Sequence, residues 1–124
     1  MARNFIQPGN VLDYVNTSGA LITSGSVVAA GNLLGVALVD IKPTEMGSVQ
    51  IDGVFEVPKV SGQAIAQGAA VLYDVSAKAF APASAAAAAG DVSGGSAVAF
   101  DAAAAGATLV RIKFTGVPGA VQGA

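Results

Sequence analysis

Residues 81–100 read "APASAAAAAGDVSGGSAVAF", and whether they are helix or loop separates a mixed fold from an all-β one. Five consecutive alanines, Ala85 to Ala89, are followed by Gly90 and Asp91. Alanine has the highest intrinsic helix propensity. Five residues nevertheless fall well short of the roughly dozen that an isolated helix needs, and no stripe of large apolar side chains is present to dock a helix on a core. Gly90-Asp91 and Ser93-Gly94-Gly95 then interrupt it. A second tract, "DAAAAGAT" (101–108), lies between two good strand patterns. The sequence therefore predicts loops for both tracts, with a short helix over 83–90 as the alternative for the first.

The segments around the alanines alternate with period two. In "VQIDGVFEV" (49–57), Val49, Ile51, Phe55 and Val57 share one face; Gln50, Asp52 and Glu56 take the other, with Val54 the exception. Pro58 ends the ladder because it has no N–H to donate. In "LVRIKFT" (109–115), Val110, Ile112 and Phe114 oppose Arg111, Lys113 and Thr115. This alternation marks half-buried antiparallel strands. Shorter candidates are "VLDYV" (11–15), "ALIT" (20–23), "SVVAA" (26–30) turning at Gly31-Asn32 into "LLGVALV" (33–39), "AAVLYDV" (69–75), "AFAP" (79–82) and "SAVAF" (96–100). Short strands with regular turn signals predict an all-β fold, a compact antiparallel β-barrel or β-sandwich of about eight to nine strands. An extended N-terminal arm precedes it, and an alanine- and glycine-rich loop occupies 83–95. The expected organisation is an arm over 1–9, a single β domain over 10–118 and a short tail over 119–124.

An internal echo runs through this pattern. "GSVVAAGNLLGVALVD" (25–40) and "GAAVLYDVSAKAFAPA" (68–83) both read glycine, short strand, turn, return strand. "VALVD…GSVQIDGVFEVP" and "AVAFD…GATLVRIKFTGVP" share a strand, an aspartate, a loop, a glycine and a second strand ending in proline. The copies need gaps to align, and β-hairpins share turn chemistry in any case, so duplication stays open.

Composition narrows the function classes. Of 124 residues, 53% are hydrophobic, many of them alanine, and only 11% are charged, against roughly 25% in an average domain. A neutral surface of small residues suits coverage by a partner. The six basic residues are scattered, so no dense stripe is present to neutralise phosphates and no nucleic acid is expected as a partner. Residues 20–39 carry no charge and contain the Gly31-x-x-x-Gly35 spacing. Polar Thr23, Ser24, Ser26 and Asn32 and three glycines favour two strands about a turn over a membrane span, so no membrane partner is expected.

Candidate chemistry is sparse. There is no histidine and no cysteine, which removes the commonest general base, Ser-His triads, thiolate sites and most zinc sites. Asp52 and Glu56 share a strand face, but alternation turns both to solvent, where neither gains the raised pKa of a catalytic acid. "GDVSGG" (90–95) lacks a following cation to complete an anion site. No catalytic residue, metal or cofactor is expected. Phe5 and Ile6, beside Arg3 and before the turn-prone Gln7-Pro8-Gly9, either pack back on the domain or dock on a neighbour.

The order and spacing of several segments carry a resemblance: Asn4-Phe5-Ile6-Gln7-Pro8-Gly9, Gly35-Val36-Ala37, Gly53-Val54-Phe55-Glu56-Val57-Pro58-Lys59, and Val71-Leu72-Tyr73-Asp74. From Arg3 to Gly116 the chain resembles the small capsid cement (decoration) proteins of tailed bacteriophages. It departs from them at Val71-Leu72-Tyr73-Asp74, where a bulky aromatic pair is common, and in its richer alanine and glycine content over 83–95. The resemblance implies a non-enzymatic structural virion protein, made in the bacterial host cytoplasm, on the outer surface of the capsid. It would stabilise the head by bridging major capsid protein subunits. It also implies self-association, with a trimer favoured and a dimer as alternative. Within that reading Arg3, Asn4, Phe5, Ile6, Gln7 and Pro8 form a partner-contacting arm. A carbohydrate- or receptor-binding β-module on the virion is the alternative, though the chain has no tryptophan and only Tyr14 and Tyr73.

Overall fold

A computed structural model describes residues 9–123. Eleven strands make up its regular structure, somewhat more than the eight or nine expected: β1 (Val11–Val15), β2 (Val27–Ala30), β3 (Leu33–Ala37), β4 (Met46–Gln50), β5 (Asp52–Pro58), β6 (Val71–Asp74), β7 (Ala79–Pro82), β8 (Val92–Ser93), β9 (Ala97–Ala99), β10 (Leu109–Thr115) and β11 (Ala120–Val121). The fold is all-β, and no helix occurs among the described residues. Three antiparallel sheets carry the orders β1-β4-β3-β2, β5-β10-β9 and β11-β8-β6-β7.

The alternating segments form strands, with two corrections. "VQIDGVFEV" is two strands: β4 ends at Gln50, and β5 begins at Asp52 in a different sheet. Ile51, buried between them, keeps the alternation in phase while the chain changes sheets. "ALIT" contributes only the bridge Ile22↔Ile41, because the turn-rich residues around it leave no ladder to extend. Sequence reading also passes over β8 and β11, two-residue strands that pair with each other. Such short strands carry no periodicity.

The echo in the sequence is a repeat in the structure with one correction: the return strand that matches β3 is β9, whereas "AFAP" forms β7, which has no counterpart among the described residues of the first half. In the first half Val11↔Gln50 and Val15↔Met46 pair β1 with β4; in the second Val54↔Lys113 and Pro58↔Leu109 pair β5 with β10. Val36↔Gln50 and Ala37↔Val49 recur as Val98↔Lys113 and Ala99↔Ile112. Val27↔Val36 recurs as Ala70↔Val98, and Ile22↔Ile41 as Ile65↔Ala103. Register is set residue by residue, and a slip of one would turn every side chain over. So many matching pairs define one supersecondary unit used twice.

The two units differ at one connection. In the first, β2 and β3 are joined by Gly31-Asn32, a two-residue hairpin turn in which Gly31 supplies the positive φ of 62°. In the second, residues 74–94 replace that turn and include β7 and β8. The alanine-rich stretch 81–100 falls mostly in this insertion. Residues 83–91 form turns and irregular structure, closed by Ala85 N–H to Pro82 O (2.9 Å) and Asp91 N–H to Ala88 O (3.0 Å).

Each unit turns one face to a core. The smaller core gathers Val28, Ala37, Ile41, Val49 and Ile51, flanked by Leu12, Tyr14 and Ile22. Their counterparts Val71, Ala99, Ile112 and Phe114 belong to the main core, with Phe80 and Val92 added from the insertion and Leu34 and Val36 from the back of the first sheet. Four rings run through it. Phe55 and Phe80 meet Phe114 edge-on at 5.9 and 6.0 Å, and Tyr73 lies 5.1 Å from Phe80. Such pairs contribute roughly 0.5–1.5 kcal/mol each beyond burial. At Gly35 a Cβ would lie 2.7 Å from the carbonyl oxygen of Gln50, so only glycine lets β3 approach β4 here.

Candidate functional site

The polar residues that the fold buries are used for structure. Asn16 donates through Nδ2 to the carbonyls of Ala20 (2.7 Å) and Ile41 (2.8 Å), and its Oδ1 accepts from the Ser18 N–H and hydroxyl. The Asn16 side chain is thus fully engaged within the fold. The equivalent position in the second unit is Lys59, whose Nζ donates to the carbonyls of Val60 (2.9 Å), Ala105 (3.3 Å) and Ala107 (3.4 Å). Asp91 accepts from the Ala88 N–H (2.8 Å) and the Val75 N–H (3.1 Å), fixing the end of the alanine tract against the chain after β6. Ser96 Oγ accepts from the Leu34 N–H (2.8 Å), tying the two units together. Among the described residues no buried side-chain nitrogen or oxygen lacks a partner. Sequence reading missed these roles because a single Lys, Asp or Asn has the same local signature exposed or buried.

The remaining ionisable groups do not converge. Asp52 and Glu56 lie on the solvent side of β5, as the alternation requires. Arg111 bridges Glu56 (3.8 Å) and Asp101 (3.4 Å) in an exposed network. Asp74 is held below the usual carboxylate range by hydrogen bonds from the Ser76 hydroxyl and the Ala77 N–H, which shape the β6–β7 turn. Burial, reinforced by Asp74, pushes the Tyr73 phenol up to about 12. Among the described residues no group of three or more acids could hold a metal ion. No helix among them is long and apolar enough to cross a membrane; residues 20–39 carry the β2–β3 hairpin instead.

What the second sheet does present is a broad exposed face. Register places Val54, Lys113 and Val98 in one row, and Glu56 beside Arg111 in the next. Phe100 follows β9, with its N–H bonded to the Arg111 carbonyl (2.9 Å), and Leu109 lies opposite Pro58. Val54, Phe100 and Leu109 are 41%, 47% and 50% exposed. Bulky apolar side chains thus surround one ion-pair network, a composition suited to contact with another protein. The candidate arm residues Arg3, Asn4, Phe5, Ile6, Gln7 and Pro8 lie outside the described residues. The described chain enters β1 through Gly9 and Asn10, where the Asn10 carbonyl accepts from Ile51 N–H (2.9 Å).

With a repeated all-β unit, an exposed apolar face and no converging acids in view, comparison with known proteins bears on function. The family model for phage cement proteins matches residues 6–114. The chain belongs to the phage cement proteins. No curated protein matches it. The matched span takes in the first unit and the second with its insertion, as far as Phe114 in β10; β11 lies beyond it. A cement protein is a structural, capsid-associated component of the virion, and the family is not an enzyme class.

Proposed function

We propose that this cement protein binds the outer surface of the phage head and stabilises the shell by bridging neighbouring major capsid protein subunits. The observation that carries the reading is the family match over residues 6–114. The physical features support it. Low charge lets a surface be covered without desolvating many ions. The apolar side chains of Val54, Phe100 and Leu109 supply contact area. A weak contact repeated over an icosahedral shell becomes strong through multivalency. The protein acts as a closed oligomer, a trimer in preference to a dimer. Arg3, Asn4, Phe5, Ile6, Gln7 and Pro8 form an arm that contacts a neighbour, since an extended segment staples partners through main-chain hydrogen bonds.

For a glycan-binding role, neither tyrosine offers a stacking platform: Tyr73 is buried and Tyr14 packs on the smaller core. The capsid reading is tested by mixing purified protein with expanded, undecorated heads. Co-sedimentation and a gain in heat resistance of the heads are expected, and their absence overturns it. Deleting residues 1–9 is expected to weaken attachment while leaving thermal unfolding of the free protein unchanged; undiminished attachment removes the arm from the interface.

A further inference from the structure

The internal repeat shows what one edge of the molecule is built to receive. β2 and β6 occupy equivalent places in the two units. Within the chain the outer edge of β6 is taken by β7, which runs antiparallel to it with Leu72↔Ala81 and Tyr73↔Phe80. Phe80 is thereby fully buried in a core that includes Val57, Ile65 and Val71. In the first unit a short turn replaces the insertion, and among the described residues β2 pairs with β3 alone.

Hydrogen-bond parity shows that the β2 edge is presented for pairing. The Ala37 N–H donates to the Ser26 carbonyl (2.9 Å). Alternation along an antiparallel ladder then directs Val28 toward β3, and Val27 and Ala29 away from it. The second unit has the same parity, with Ala99 N–H donating to the Ala69 carbonyl (3.1 Å) and Leu72 directed to β7.

A groove of about 570 Å³ lies along this edge. Four consecutive residues, Ser26 to Ala29, line it. Side chains of successive strand residues point to opposite faces, so such a run lines one groove only where the groove follows the strand's edge. Tyr14, Ile22 and Val28 also line it; they are the counterparts of Val57, Ile65 and Val71. The space matches the place Phe80 fills in the second unit. Tyr73 and Lys78 border both this groove and an adjoining one of about 350 Å³. Among the described residues Lys78 is the only charged one lining either, and it makes no ion pair with another of them.

We propose that the β2 edge is a strand-acceptor site for the capsid partner. An extended capsid-protein segment adds antiparallel to β2, as β7 adds to β6. It places a bulky apolar side chain in the groove and an Asp or Glu carboxylate beside Lys78. Its main chain exchanges hydrogen bonds with Val27 and Ala29. Charge selects this occupant over those the chain itself supplies. Residues 1–8 carry Arg3 and no acid, and a second copy's β2 would bring another Lys78. The proposal rests on the capsid-binding reading above.

The test measures co-sedimentation of the full chain with expanded, undecorated heads. Val27→Pro removes an N–H that the β2–β3 ladder does not use, at the first residue of an edge strand, a setting that tolerates proline. It is expected to bind about tenfold more weakly, the loss of one or two hydrogen bonds and the added ring's obstruction. Lys78→Glu is expected to bind about fivefold more weakly and with reduced salt dependence, while Lys78→Arg binds as wild type. Thermal unfolding of each free variant verifies its fold. Should Val27→Pro not fold, Ala29→Pro and amide exchange of the wild type stand in its place: Val27 and Ala29 gain protection on heads. Folded variants that bind like wild type, when wild type itself binds, overturn the acceptor site and leave the capsid reading intact. Failure of wild type to bind overturns both. A wild-type dimer that Val27→Pro disperses, without heads, assigns the edge to a second copy and overturns the proposal. So does protection of Val27 and Ala29 in the free protein that deletion of residues 1–8 abolishes.

Discussion

The two units share one ladder register and differ in the connection that leaves the second strand of each. After β2 the chain turns back at once through Gly31-Asn32; after β6 it makes a long excursion before returning as β9. The excursion supplies β7 and β8, builds a third sheet with β6 and β11, and sends Phe80 and Val92 into the main core. The first unit, without an insertion, keeps a smaller core and, among the described residues, an uncovered strand edge. The same scaffold thus yields a half whose second strand is covered by its own insertion and a half with a pairing edge to spare among the described residues. The alanine tract belongs to the insertion, and it is tethered by the buried carboxylate of Asp91 instead of by helical hydrogen bonds.

Substitutions at matched positions test this asymmetry. The largest effect is expected at Phe80, the anchor of the insertion. Phe80→Ala should lower unfolding free energy in urea by about 3–5 kcal/mol; a loss below about 1 kcal/mol would show that the insertion is not integral to the core. Next come the matched buried plugs. Lys59→Ala removes a donor from the carbonyls of Val60, Ala105 and Ala107, of which Ala105 keeps the Gly62 N–H (2.7 Å); Asn16→Ala removes one from those of Ala20 and Ile41, which keep the Ser18 hydroxyl (3.1 Å) and the Ile22 N–H (3.0 Å). Lys59→Ala should cost about 1–3 kcal/mol by the same assay, the unsatisfied-acceptor range, and Asn16→Ala about 0.5–1.5 kcal/mol, the range for a lost hydrogen bond whose acceptor keeps another donor. Equal effects would mean that the lysine charge adds nothing to the repeat.

A third difference is one of pH. Tyr73 stands where the first unit has Ala30, and its phenol is pushed from 10 to about 12 by burial and then by Asp74. The folded chain holds this proton more tightly than the unfolded chain. That stabilisation is intact below about pH 10 and is lost as pH rises through about 12. Thermal unfolding across this window should fall more steeply for wild type than for Tyr73→Phe, and parallel curves would contradict the assignment. The smallest effect is expected on the outer face of the second sheet. Glu56→Gln loosens an exposed pair with Arg111 and should change stability by less than about 1 kcal/mol; a larger change would make that face part of the fold instead of a surface free for contact.

The all-β class was legible in the sequence, because period-two alternation in Val49–Val57 and Leu109–Thr115 is a local property that any half-buried strand imposes. The sequence also favoured a loop over a short helix for the alanine tract, since Gly90-Asp91 and the absence of a docking stripe act within a few residues, and the structure decided for the loop. The first hairpin was legible for the same reason: Gly31-Asn32 is a turn signal between two apolar runs. The order of motifs pointed to the cement family through residues spread along the chain. Of the candidate contact residues, the arm drew notice through Phe5 and Ile6, whereas the β2 edge left no local sign. Only the tertiary structure decided that "VQIDGVFEV" divides between two sheets at Ile51, and that the echo is a repeat in matching hydrogen-bond register. It alone paired β8 with β11, buried Lys59 and Asp91, and left β2 without an outer neighbour among the described residues. These features depend on partners brought together from distant parts of the chain. Periodicity reports which face of a strand meets the core, but not which strand, if any, lies beside it.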